Sequence, residues 1–224
     1  MERKTQDFHY LVLQTKVLKQ RQLANVLSAK LPPEMGKIFI PEREYWIRKR
    51  KEIGTKPMFP GYIFALTDMT QAELHLFARK NGMDIQTFVN DLSVKGTALN
   101  HTVLSDDSEF WAELTEEESI FMDTMLDEEG IERMSVGYRD GNRYVVMEGP
   151  LKGMEKHITG SDRHNREAYL DISFRQYAVV VGLEQKPKSA FFPNGKQTTG
   201  VLDDGTEVYT EELSKMMMGN SIKV

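Results

Sequence analysis

Cysteine is absent from the 224 residues. Disulfides and thiolate-held metals are therefore excluded as sources of stability or chemistry. A reducing compartment accords with this, and the expected location is cytoplasmic. Long apolar runs are missing too. The longest, "YLVL" and "YAVVVGL", are strand-sized, well short of the roughly 20 apolar residues of a membrane helix. The opening "MERKTQDF" leads into no signal-like apolar core, and no membrane partner is expected. His75 and His101 stand apart from other ligand-type residues, so no metal spacing can be read. No phosphate-binding glycine loop or nucleophile elbow is found either. The expectation is a binding protein with no cofactor, not an enzyme.

Charge is unevenly spread. The chain as a whole carries a net charge of −5. Residues 1–56 hold 13 Lys/Arg against 6 Asp/Glu, residues 57–135 hold 4 against 16, and the remainder holds 12 of each. An acidic average therefore permits local phosphate binding, because the field of a charge decays within about 8–10 Å in physiological salt.

"FHYLVLQT" (8–15) reads as a buried strand. Between Lys16 and Leu31, Leu23, Leu27 and Leu31 recur every fourth residue and share a face with Ala24; Pro32-Pro33 ends this helix. "GKIFIPEREYWI" (36–47) reads as a second strand, followed by the basic run "RKRKEIGTK" with its turn glycine. "MFPGYIFAL" (58–66) reads as a third. A helix over 70–81 carries Leu74, Phe77 and Ala78. Residues 84–110 are less regular. A helix over 114–130 opens on a capping box, Thr115 with Glu118, and bears Ile120, Phe121, Met125 and Leu126 as its apolar stripe. The order predicts an α+β sandwich with helices packed on a small sheet.

After Gly130 the pattern turns to short strands and glycine turns. "RYVVM" (143–147), "AYLDISF" (168–174) and "YAVVVGL" (177–183) alternate as strands. Ala168, Leu170, Ile172 and Phe174 fall on one face, as do Tyr177, Val179, Val181 and Leu183. Such a run predicts a small barrel. The tail predicts a hairpin around Asp204-Gly205 and a short helix capped by Thr210, with Leu213, Met216 and Met217 on one side.

Two segments in order, "MFPGYIF" and "GYRDGNRYVVMEGPLKGMEKHITGSDRHNREAYLDI", make the chain similar to NusG-family transcription elongation factors. The first resembles the Pro-Gly-Tyr strand of the N-terminal NGN domain. The second resembles a KOW motif, and "LTEEESIFMDTML" resembles the helix that closes the NGN domain. "GPLKGMEKHI" with "DRHNREAYLDI" is more similar to the specialised LoaP-type antiterminators. The chain departs from the general pattern at His9, at Leu151 after Gly-Pro, and at "SFRQY". The resemblance implies an NGN α/β sandwich over 1–129, a linker over 130–136, a small SH3-like KOW β-barrel over 137–187 and a C-terminal extension over 188–224. It implies a monomer that binds the RNA polymerase clamp and suppresses pausing and termination. A general NusG factor coupling transcription to translation, or a ribosome-associated KOW protein, is the alternative.

Candidate interfaces follow. Phe59 and Tyr62, with Tyr10 and Phe64, are expected to line the apolar patch that receives the clamp; core packing explains the same residues. Arg48, Lys49, Arg50 and Lys51 form either a solvated loop or a phosphate contact to upstream DNA. Lys152, Lys156 and His157 on one turn, and Arg163, His164 and Arg166 on the next, are expected to converge on nascent RNA, a structured hairpin. Tyr169 would serve there as a stacking surface. Ordinary polar turn chemistry is the rival account, given Asp162 and Asn165.

Overall fold

The structure is a computed structural model that describes residues 8–82, 85, 110–175, 177–192, 198–201 and 207–209. In chain order the first part contains β1 (His9–Gln14), α1 (Gln20–Ser28), β2 (Gly36–Phe39), β3 (Glu42–Ile47), β4 (Glu52–Pro57), β5 (Tyr62–Thr67), α2 (Gln71–Lys80), β6 (Trp111–Glu113) and α3 (Glu116–Met125). The class is α+β.

β1 is an interior strand of a sheet ordered β2-β5-β1-β6, antiparallel to both neighbours. Burial on both faces explains its nearly unbroken apolar run. Leu11 and Leu13, with Ile63 and Ala65 of β5, face Leu23, Ala24 and Leu27 of α1 and Leu74 and Ala78 of α2. Tyr10, Val12, Tyr62 and Phe64 point to the opposite face, where Phe121, Met122 and Met125 of α3 pack. A period of two in the strands thus divides the core into two layers.

Several boundaries move for identifiable reasons. The stretch 36–47 is two strands because Pro41, lacking an N–H, separates them; β2 pairs with β5, whereas β3 joins a second sheet with β4. The stretch 58–66 becomes a strand only at Tyr62. Phe59, Pro60 and Gly61 form a turn, with Gly61 at φ 85°, where an added Cβ would meet the Thr15 carbonyl oxygen at 3.0 Å. In the helix expected over 114–130, α3 ends at Met125, and Ile120 is 58% exposed while Met122 is buried in its place. The Thr115–Glu118 capping box forms as expected, and a second, Thr70–Glu73, starts α2.

The second part contains β7 (Ile131–Glu132), β8 (Ser135–Asp140), β9 (Arg143–Glu148), β10 (Ile158–Asp162), β11 (Glu167–Phe174) and β12 (Tyr177–Gln185). Five of these form a sheet ordered β10-β11-β12-β8-β9. Its two edge strands approach through the Tyr144 and Ser161 hydroxyls, 3.0 Å apart. The alternation expected for β11 and β12 is present: Ala168, Leu170, Phe174, Val179, Val181 and Leu183 are all buried. The stretch expected as a linker includes β7, which pairs in parallel with β3. Phe191 and Phe192, in the expected extension, pack on Tyr138 of β8. In the tail, β13 (Thr198–Val201) pairs with β14 (Glu207–Tyr209), the expected hairpin. The irregular stretch 84–110 lies outside the described residues apart from residues 85 and 110, as do His101 and the tail helix. No helix among the described residues is long and apolar enough to cross a membrane.

Candidate functional site

The aromatic face of the first sheet does not meet solvent. Tyr10, Phe59, Tyr62 and Phe64 are all buried, Phe59 to 1% exposure. Gln20, itself buried, holds the turn that carries Phe59. Its side-chain amide donates to the Phe59 and Tyr62 carbonyls at 3.2 and 2.6 Å, and its oxygen accepts from Gly61 N–H at 3.1 Å. Phe174 and Tyr177, on either side of the β11–β12 turn, cover the patch. The Phe174 ring lies 4.4 Å from Phe59, 5.4 Å from Phe64 and 5.7 Å from Tyr62, centroid to centroid. Tyr177 meets Tyr62 edge-on at 5.7 Å and donates its hydroxyl to the Pro60 carbonyl at 3.1 Å. Between them Arg175, at φ 54°, donates to the Glu113 carbonyl at 3.2 Å and pairs with Glu118 at 3.6 Å.

Among the described residues the buried Tyr62 hydroxyl has no hydrogen-bond partner. Burial raises its pKa, and Tyr177 adds to the shift. A phenylalanine would fill the same space without that cost.

A charged seam lies between the two parts of the chain. Arg43 of β3 is buried and donates to Glu167 of β11 at 2.7 Å; Lys56 approaches the same carboxylate at 3.7 Å. Burial, and then Arg43, hold the Lys56 pKa below its ordinary value. Glu132 of β7 is fully buried, and both its oxygens lie within 3.3 Å of the Gly182 N–H of β12. An added Cβ at Gly182 would meet the Met134 Cα at 3.1 Å and the Glu44 carbonyl oxygen at 3.2 Å, so a side chain here would crowd the close approach of β12.

Burial pushes the Glu132 carboxyl well above the carboxylate range, against the pull of Gly182 N–H and Arg43. Folding therefore favours its protonated form. Its contribution to stability is full below the unfolded pKa of about 4.3 and is lost as pH rises through the raised value. Thermal unfolding from about pH 4.5 to 7 should show wild type losing stability relative to Glu132→Gln as pH increases. Parallel pH profiles would refute this assignment.

The expected RNA-contact residues divide. Lys152 and Lys156 are exposed beside His157, whose Nδ1 lies 2.9 Å from Asp171. Arg163 and His164 are exposed in the turn at the other end of β10, a strand about 13 Å long at ordinary strand spacing. The two turns do not converge. Tyr169, 40% exposed, lies between them, its ring 3.5 Å from where a Gly160 Cβ would be. The result is a strip of basic end, aromatic surface and basic tip.

Arg166 does something else. Its guanidinium lies 3.6 Å above the Trp46 ring centroid and pairs with Glu184 at 2.8 Å. It is a clasp between β3 and the β10–β11 tip rather than a free cation. Arg48, Lys49, Arg50 and Lys51 form the exposed β3–β4 turn, where Arg50 pairs with Glu52 at 3.1 Å.

Sequence reasoning missed Gln20, Arg43, Glu132, Arg175 and Gly182. Each is an unremarkable polar residue or glycine until the two parts of the chain meet, and nothing in local spacing marks it. Residues 8–106 match the family model described as Transcription termination factor nusG. No curated protein matches the chain. The family match spans the first sheet's β1, β2 and β5 and the basic β3–β4 hairpin, and stops before the five-stranded sheet.

Proposed function

We propose that the protein is a transcription elongation factor of the NusG type, specialised for antitermination. The carrying observation is the aromatic face of Tyr10, Phe59, Tyr62 and Phe64 inside the matched region, where the buried Tyr62 hydroxyl has no hydrogen-bond partner among the described residues. On this reading the face binds the RNA polymerase clamp. Phe174 and Tyr177 occupy it in the structure, so polymerase binding requires the KOW barrel to part from the NGN domain. The freed Tyr62 hydroxyl then finds a partner in solvent or in the clamp, which offsets part of the cost of opening. The protein acts in the cytoplasm by binding, without catalysis.

The barrel contributes nascent RNA binding along the β10–β11 strip. The exposed Tyr169 ring stacks an unpaired base, while Lys152, Lys156, His157, Arg163 and His164 lie along the backbone of a structured hairpin. Two weak contacts on one complex raise each other's effective concentration, so neither need be strong alone.

A terminator read-through assay, with and without the operon leader RNA, tests this function. Read-through should rise with the protein and rise further with the leader. Phe59→Ala/Tyr62→Ala should abolish capture of core polymerase, and Tyr169→Ala should abolish the leader effect alone. A leader-independent effect would indicate a general elongation factor. No polymerase capture by wild type would leave an RNA-binding protein without a transcription role.

A further inference from the structure

Two hairpin tips from different parts of the chain lie side by side. The β3–β4 tip is residues 48–51 and the β10–β11 tip is residues 163–166. The Arg166 guanidinium in the second tip rests on Trp46, two residues before the first tip begins. Arg48, Lys49, Lys51 and Arg163 are exposed, and no ion pair engages any of them among the described residues. The nearby acids are occupied. Glu52 pairs with Arg50, Glu184 with Arg166, and Glu167 with Arg43. Asp162 accepts the His164 and Asn165 N–H groups of its own turn.

Backbone geometry gives an independent pointer. Non-glycine residues rarely adopt positive φ, and strain of this kind collects at functional sites. Among the described residues three do so, Lys51, Arg166 and Arg175, at φ 54–55°. Lys51 and Arg166 are the last turn residues of the two tips. Glycine or asparagine would fit both turns at lower cost, yet each holds a cation.

We propose that the two tips form one phosphate-binding face for the backbone of a nucleic-acid duplex. A duplex presents one charge per about 1.7 Å of axis, so four free cations on adjoining tips can engage several phosphates together. Arg166 occupies one face of the Trp46 ring and takes that face from base stacking, which favours backbone contact over single-strand stacking. Arg166 acts as a positioning residue. The face goes beyond the RNA strip proposed above, because it needs residues from both parts of the chain and does not use Tyr169.

Fluorescence anisotropy of the full chain with a labelled DNA duplex, an RNA duplex and a single-stranded RNA tests this. Duplex affinity should fall about a hundred-fold between about 50 and 200 mM salt, with a log–log slope of about −3 to −4. Lys49→Ala/Lys51→Gly should lower that slope by about 2, and Arg163→Ala by about 1. Lys51→Gly should also keep or raise the melting temperature, since it relieves the turn. Trp46→Ala removes no cation but should still lower the slope. Arg166→Asn, which tolerates the same φ, should do likewise and serves if Trp46→Ala unfolds. Similar losses on both duplexes identify backbone recognition; a loss on one names the source. Unchanged slopes for Arg163→Ala and Arg166→Asn would leave the first tip acting alone and overturn the proposal. So would tighter binding to the single strand, or a fall in the duplex slope with Tyr169→Ala.

Discussion

Phe174→Ala should lower the unfolding free energy by about 3–5 kcal/mol, the range for deleting a fully buried phenylalanine ring. Phe174 is 1% exposed and packs against three rings of the other part of the chain. Aromatic pairs of this kind contribute about 0.5–1.5 kcal/mol each beyond the area they bury. The loss should fall mainly on the contact between the two parts, because the Phe59, Tyr62 and Phe64 face stays anchored by Gln20 and α3. Denaturant unfolding followed separately by the fluorescence of Trp46 and Trp111 and by far-UV circular dichroism should therefore split into two transitions. Core polymerase capture should increase, since the proposed binding face is freed. Simple unfolding would lower capture, so the direction separates the two outcomes. A single transition with unchanged stability would show that Phe174 does not hold the parts together.

Arg43→Met is expected to cost about 3–5 kcal/mol, the typical result of removing one partner from a buried ion pair. Arg43 is 7% exposed and bonds Glu167, and its Nη1 has no hydrogen-bond partner among the described residues. Its charge also draws the buried Glu132 toward ionisation. Without it Glu167 retains only the longer contact to Lys56. Adding Glu167→Gln should recover part of the loss, because a neutral amide tolerates burial better than a carboxylate deprived of its arginine. Chemical denaturation of the single and double variants completes the cycle. A loss below about 1 kcal/mol for Arg43→Met would place the pair among surface-like bridges.

Much of the first sheet was legible because strand and helix periods are local. Leu23, Ala24, Leu27 and Leu31 are buried as their spacing implies. So are Ala168, Leu170 and Phe174 on one side of β11, while Tyr169 is exposed on the other. The Thr115–Glu118 cap is a four-residue pattern and forms. Ile120 was misplaced because neighbouring positions on α3 are both apolar, and only the packed sheet decides that Met122 is the one covered. The break at Pro41 could have been read from its missing donor. That β2 and β3 then enter different sheets could not.

The site was legible in type but not in arrangement. Tyr10, Phe59, Tyr62 and Phe64 do form one aromatic cluster, and the basic turns are exposed tips. Which surface covers the cluster depends on residues more than a hundred positions away, Phe174 and Tyr177. The spacing of Lys152 and Lys156 from Arg163 suggested convergence, but β10 carries the two turns to opposite ends of a strand. Arg166 was counted with the free cations because charge alone cannot reveal a stacking partner.

The sequence by itself determined the α+β class, the alternating faces of β11 and β12, the Thr115–Glu118 cap and the charged character of the turns, since each follows from periodicity, propensity and turn chemistry within a few residues. Only the tertiary structure decided that the aromatic face is covered, that Arg43 and Glu132 are buried in a seam, and that two basic tips adjoin. Those outcomes depend on long-range packing of β11 and β12 against β3 and β5, which no local pattern encodes.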